Sequence, residues 1–183
     1  MEKQISTIVW TSVAVVVSML GGLAIWMYDG SCELNRLHEQ QAKRWASIEQ
    51  LFRYRTEGIL DIRAIIKKEA PYETAIIGEL AYAQVIMEGA QDRGMQIEAY
   101  NETELPRVSL SVFLYNIERL NAHPTLGGLI ESLNVLATRI NKERFDYNQA
   151  VRAYNARLLT FPTNFTSLLF NIEPLSLFRL RGE

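Results

Sequence analysis

Phe145-Asp146-Tyr147-Asn148-Gln149-Ala150-Val151-Arg152-Ala153-Tyr154-Asn155, running on to Phe161-Pro162, is the stretch that decides the fold. Tyr147, Tyr154 and Phe161 stand seven residues apart, and each tyrosine is followed by asparagine. Seven residues make about two turns of α-helix, so the three rings share one face of one helix, as in a coiled-coil heptad. Pro162 ends that helix, because it brings no N–H donor and restricts the residue before it. Asn148 and Asn155 each follow a core ring. They are placed to hydrogen-bond across to a neighbouring helix, a structural rather than a catalytic duty.

The same helix is predicted over residues 125–160. Its stripe runs Leu126, Leu129, Leu133, Leu136, Ile140, Tyr147, Val151, Tyr154, Leu158, Phe161, with Glu143 as the charged interruption. Residues 29–69 contain no proline, and their stripe is Leu37, Trp45, Ile48, Phe52, Ile59, Ile62, Ile66, with Gln41 and Arg55 interleaved. Steps of three and four mark a helix packed on partners. Between these two, Pro71 opens a helix with Ile76, Leu80, Ala83, Met87 and Ala90, which Gly89, Gly94 and a polar run to Glu104 end. Pro106 opens another with Val108, Val112, Phe113, Ile117 and Leu120, closed by Asn121-Ala122-His123-Pro124. Four helices with short links predict an all-α, up-and-down antiparallel bundle.

An antiparallel first and last helix fixes a register. Arg55 lies 18 residues after Leu37, and Glu143 lies 18 residues before Phe161. If Leu37 and Phe161 are level, the two charged interruptions meet in a buried polar layer; otherwise each leans past its neighbours into water.

Residues 4–28 hold no ionisable group except Tyr28, and 25 residues suffice for a bilayer core of about 30 Å. Trp10, Trp26 and Tyr28 fall towards the ends of the run, as interfacial aromatics do. The run is too long for a cleaved signal peptide, and Ile25-Trp26-Met27 offers no small-residue cleavage site. With no breaker beyond Gly30, this transmembrane helix continues into 29–69. Arg36, Lys43 and Arg44 after the span against Lys3 before it lean the bundle towards the cytoplasm. The predicted organisation is an anchor over 1–28, a helical bundle over 29–162 and an apolar tail over 163–183. Leu37 lies roughly 14 Å along the helix from Tyr28, so the tail returns near the membrane, either as a plug under the bundle or as a partly inserted segment.

Catalytic signals are weak. A net charge of −2 over 183 residues gives no overall basic bias for nucleic acid. Cys32 is the single cysteine, so no intrachain disulfide is possible. It stands near the membrane with no evident base beyond Glu33, and Asp29 sits where a lipoprotein site wants an apolar residue. His38 and His123 belong to no Glu-x-x-His pair, and Gly127-Gly128 lacks the spacing of a phosphate loop. No cofactor, metal or catalytic residue is expected. Residues 70–106 carry seven acids and one base, Arg93, which makes a solvated acidic face or a docking surface for a basic partner.

The stretch Ile140-Asn141-Lys142-Glu143-Arg144-Phe145-Asp146-Tyr147-Asn148, with Val151, Tyr154-Asn155 and Phe161-Pro162, resembles the LemA family. Trp45-Ala46-Ser47-Ile48 with Arg53 and Arg55, and Glu118 followed by His123-Pro124-Thr125-Leu126, are similar to further family motifs. The chain diverges at Glu57-Gly58-Ile59-Leu60-Asp61-Ile62, which lacks the family's proline, and at Leu136-Ala137-Thr138-Arg139-Ile140, which lacks its acidic residue. The resemblance implies a bacterial, membrane-anchored helical bundle with no established enzymatic activity. Some relatives belong to magnetosome membrane systems and others are linked to membrane or envelope assembly. The expectation is therefore a single-pass inner-membrane scaffold or interaction protein, contacting the bilayer through its first helix and binding protein partners or itself. The alternative is an accessory or regulatory subunit of a membrane enzyme such as a protease. The residues expected to carry structure or interaction are Trp45, Arg55, Glu143, Tyr147, Asn148, Tyr154, Asn155, Phe161 and Pro162.

Overall fold

The structure is a computed structural model, and it describes residues 2–103 and 123–182. Among them the regular elements are helices: α1 (Glu2–Glu69), α2 (Thr74–Gly89), α3 (Arg93–Glu102), α4 (Pro124–Leu159) and α5 (Thr163–Leu169). The fold is all-α. The helix expected after Pro106, and Glu118 with it, lie outside the described residues.

The long first helix forms as the sequence requires. No proline interrupts 2–69, and α1 runs unbroken from the apolar segment into the striped one. Every position of its predicted stripe is buried, from Leu37 to Ile66, Gln41 and Arg55 included. Pro124 is the first residue of α4, where a missing N–H costs nothing because the first turn has no acceptor for it. Leu126, Leu133, Ile140, Tyr147, Val151, Tyr154 and Leu158 of its stripe are buried. Leu129, Leu136 and Glu143 are half-buried, and Phe161 is 53 % exposed, because α4 stops at Leu159 before the stripe is complete.

Two details differ from expectation between α1 and α4. Pro71 lies in the turn between α1 and α2 rather than in the first turn of α2, which begins at Thr74. The polar run after Gly94 is not only a link: most of it is α3. Asp92 caps that helix, its side chain accepting a hydrogen bond from the Met95 amide at 2.8 Å.

The chain forms two compact units, Met1–Ala42 with Gln149–Ser176, and Lys43–Asn148 with Leu177–Glu183. In the first, Leu34, Leu37, Tyr154 and Leu158 make a small core against Ile172 and Leu175. Gly30 permits a close approach there: a Cβ would meet Pro162 Cγ at 3.2 Å and Arg157 Nη2 at 3.1 Å. The second unit holds a larger core of Ile59, Ile62, Ile66, Ile76, Leu80, Ala83, Leu126 and Leu133. The side chains of the apolar part of α1, Val13, Val15, Val16, Val17, Met19, Leu20, Leu23 and Ile25, are all exposed. Among the described residues, one helix is long and apolar enough to cross a membrane.

Candidate functional site

The sequence-predicted residues divide between the two units. Tyr154, Asn155, Phe161 and Pro162 belong to the first; Trp45, Arg55, Glu143, Tyr147 and Asn148 belong to the second.

In the second unit, the Trp45 ring packs on Tyr147 at 5.2 Å, and on Phe52 and Phe178 near 6 Å. Tyr100 of α3 stacks on Phe52 at 5.2 Å and meets Phe178 edge-on at 5.6 Å. Phe178 has no exposed surface. Such ring pairs contribute about 0.5–1.5 kcal/mol each beyond their buried area, so this cluster gathers α1, α3, α4 and the chain end. Two arginines complete it. Arg93 lies 5.0 Å from the Trp45 ring centre and 5.6 Å from that of Tyr147, and its Nη1 donates to the Tyr147 hydroxyl at 3.3 Å. Arg55 lies 4.8 Å from the Tyr100 ring centre and donates to the Thr103 carbonyl at 2.8 Å.

The expected Arg55–Glu143 pair does not form. Arg55 is buried, but it turns to the carbonyl that ends α3. Glu143 instead faces Arg44 at 3.6 Å, and Arg44 also reaches Asp146 at 3.4 Å. The physical reason is register: Phe161 meets Trp26 rather than Leu37, and Trp45 meets Tyr147 and Gly58 meets Leu133, so Arg55 and Glu143 stand about two helical turns apart along α1 and α4. Arg55 Nη2 instead donates to the Thr103 carbonyl at the C-terminal end of α3, where helix carbonyls carry partial negative charge. The stripes show which faces are buried, but not how far one helix slides along the other.

The asparagines also find a different partner. Asn148 donates from Nδ2 to the Phe178 carbonyl at 2.8 Å and accepts the Phe178 amide at 2.8 Å. Asn155 does the same with Leu175: Nδ2 to the carbonyl at 2.8 Å and the amide to Oδ1 at 2.9 Å. Each side-chain amide thus mimics a β-strand neighbour for one residue of an extended tail, rather than bridging to another helix. The spacing has a geometric basis. Seven helical residues rise about 10.5 Å and three extended residues about 10 Å, so asparagines at heptad spacing serve tail residues three apart. The chain end is held further by Arg181 on Glu102 at 2.7 Å and by Asn101 donating to the Arg179 carbonyl at 3.1 Å.

In the first unit, the Tyr154 ring meets His38 at 5.6 Å, and the His38 Nδ1 lies 3.5 Å from Gln41 Nε2. Burial pushes the Tyr154 phenol up from its ordinary value. Tyr147 is also raised by burial, with the Arg93 charge and hydrogen bond opposing. Phe161 packs on Trp26 at 4.7 Å, and Pro162 is buried at the start of α5. Cys32 is exposed. Among the described residues no three His, Cys, Asp or Glu side chains gather as a metal site would need.

Among the described residues, the surface of α2 and α3 carries two hollows. A groove of about 540 Å³ runs between the two helices, lined by Tyr82, Val85, Ile86, Met95, Glu98 and Glu102 among others. Tyr82, Val85 and Met95 are more than half exposed. A second hollow of about 340 Å³ lies where Phe52, Arg53 and Leu60 of α1 face Met87, Glu88 and Gln96. Sequence reasoning placed an acidic face here but missed α3. It also missed Phe178 as a core member and the half-buried Arg93 over the Trp45 and Tyr147 rings. Arg93 had a legible signal, being the one base among seven acids; Phe178 had none, since its place depends on where the tail is clamped.

Residues 44–183 match the model of the LemA family. No curated protein matches the chain.

Proposed function

The chain belongs to the LemA family, and from that premise we propose that it is a membrane-anchored, non-enzymatic helical scaffold that docks other proteins at its acidic face. The N-terminal apolar helix holds it in a bacterial inner membrane as a single-pass protein, with the α2–α3 surface on the cytoplasmic side. The motif residues are used in packing and in holding the tail, which leaves recognition to surfaces that variation can tune.

The observation that carries this reading is the groove between α2 and α3. It is lined by the exposed apolar side chains of Tyr82, Val85 and Met95 and by the acidic Glu98, while Glu102 beside it is engaged by Arg181. An exposed apolar patch rimmed by charge is the ordinary form of a protein-docking site. Its sign favours a partner segment bearing lysine or arginine beside apolar anchors.

A photo-crosslinking residue in place of Val85, activated in native membranes, tests the proposal. A small set of discrete adducts supports docking, and adducts confined to one membrane protease select the accessory-subunit reading. Absence of adducts from Val85, with efficient capture of lipid by a probe in the apolar part of α1, contradicts it.

A further inference from the structure

We propose that the turn after α4 is a second membrane contact: α5 and its flanks lie in the bilayer interface beside the N-terminal span. The inference rests on the reading of residues 4–28 as a span, and four observations within the first unit carry it.

The first is composition. Between Arg157 and Glu173 lie 15 residues with no Asp, Glu, Lys, Arg or His. The second is exposure. Leu159, Phe161, Phe165, Leu168, Leu169 and Phe170 are each more than half exposed, Leu168 by 82 %. Six large apolar side chains projecting from so short a segment are costly in water, and α5 is too short to fold for its own sake.

The third observation concerns the polar groups. The segment has four hydroxyls, and each donates to a backbone carbonyl nearby. Thr160 bonds Arg157 at 2.9 Å, Thr163 bonds the same carbonyl at 2.7 Å, Thr166 bonds Thr163 at 2.9 Å and Ser167 bonds Asn164 at 2.9 Å. Exposed Ser132 and Thr138 of α4 bond their own helix in the same way, so this pattern suits an interfacial setting without demanding one. In a low-dielectric layer each unmade bond costs free energy, so hydroxyls return to the chain.

The fourth is position. Phe161 packs at a tilt against Trp26, ring centres 4.7 Å apart, and Pro162 sits against Gly30. Trp26 is near the end of the apolar run, at the level where aromatic side chains meet headgroups. The segment therefore starts at interface depth by contact with α1. Asn155 recaptures the chain at Leu175, so the turn projects as a closed excursion anchored at both ends. An apolar body of this size lies about 5–10 Å into the boundary between headgroups and acyl chains.

The experiment uses the full-length chain in vesicles of phosphatidylcholine and phosphatidylglycerol. In a Cys32→Ser background, Leu168→Cys carries an environment-sensitive fluorophore, and Val17→Cys carries the same fluorophore in a separate sample. Both positions are exposed, so neither label disturbs a core. Lipids bearing a nitroxide at a shallow or a deep acyl position serve as quenchers. The proposal predicts loss of Leu168 emission, greater with the shallow nitroxide, while Val17 emission is lost more to the deep one. Quenching at Val17 without quenching at Leu168 overturns the proposal and leaves the span intact. Blue-shifted Leu168 emission that no nitroxide quenches also overturns it, since a protein surface then covers the turn. Quenching at neither position overturns both this inference and the span.

Discussion

The same pair of hydrogen bonds fastens the tail in both units, but in different company. Asn148 holds Phe178, whose ring is fully buried among Trp45, Phe52 and Tyr100. Asn155 holds Leu175, which stays half-buried beside Leu34, Leu37, Tyr154 and Leu158. Identical backbone capture therefore coexists with very different amounts of buried surface. The asparagine sets where the tail lies; the side chain it delivers sets how firmly the unit is held.

That contrast breaks most visibly at the delivered side chains. Phe178→Ala should destabilise the second unit by about 3–5 kcal/mol, and Leu175→Ala the first by roughly 1–2 kcal/mol, because the leucine has less surface to lose. Denaturant unfolding followed by amide exchange in each unit measures both. Equal costs would mean that the aromatic cluster adds nothing to the capture.

The clamps themselves come next. Asn148→Ala and Asn155→Ala should each cost about 1–3 kcal/mol, since the tail amide and carbonyl lose their partners together. Here the two units should behave alike. Hydrogen exchange should quicken at the Phe178 amide in the first variant and at the Leu175 amide in the second, with little crossover.

How much of this was legible from sequence follows from range. The stripes of α1 and α4 were readable because burial repeats every three or four residues, and even Gln41 and Arg55 proved to lie on the buried face. The asparagines were recognised as structural, but their partner was not. A tail residue such as Phe178 carries no periodic signal, and which tail residue an asparagine meets depends on the path of an extended chain. The α3 helix was hidden because its mixed polar composition reads as a link until Asp92 is taken as a cap. The Arg55–Glu143 pairing failed on register: a stripe shows which face is buried, not how far two helices slide, and Phe161 meets Trp26 rather than standing level with Leu37.

A smaller effect separates the units at Arg93. Arg93→Gln should cost about 0.5–2 kcal/mol in the second unit alone, by removing the cation from Trp45 and Tyr147. It should also move the Tyr147 titration still further up, because the charge that opposes burial is gone; ultraviolet titration of the phenols measures this.

The pH response should be shared. Tyr147 and Tyr154 both have folded values raised by burial. The neutral phenol is thus favoured in the folded state. Its contribution is fully present below the unfolded tyrosine value of about 10, and is lost as pH rises through the folded values. Alkaline unfolding monitored by far-ultraviolet circular dichroism should begin above about pH 10. The smallest change belongs to Arg44→Ala, whose half-exposed contacts to Glu143 and Asp146 should be worth under about 1 kcal/mol.

The claim that matters most is that the acidic groove of the second unit recognises protein while the apolar part of α1 holds the membrane. Affinity isolation from detergent-solubilised native membranes, comparing the unaltered chain with Glu98→Lys, tests it directly. The prediction is that the variant stays in the membrane fraction, keeps its helical content and loses the proteins that accompany the unaltered chain. An unchanged set of accompanying proteins on the folded, membrane-held variant would contradict it.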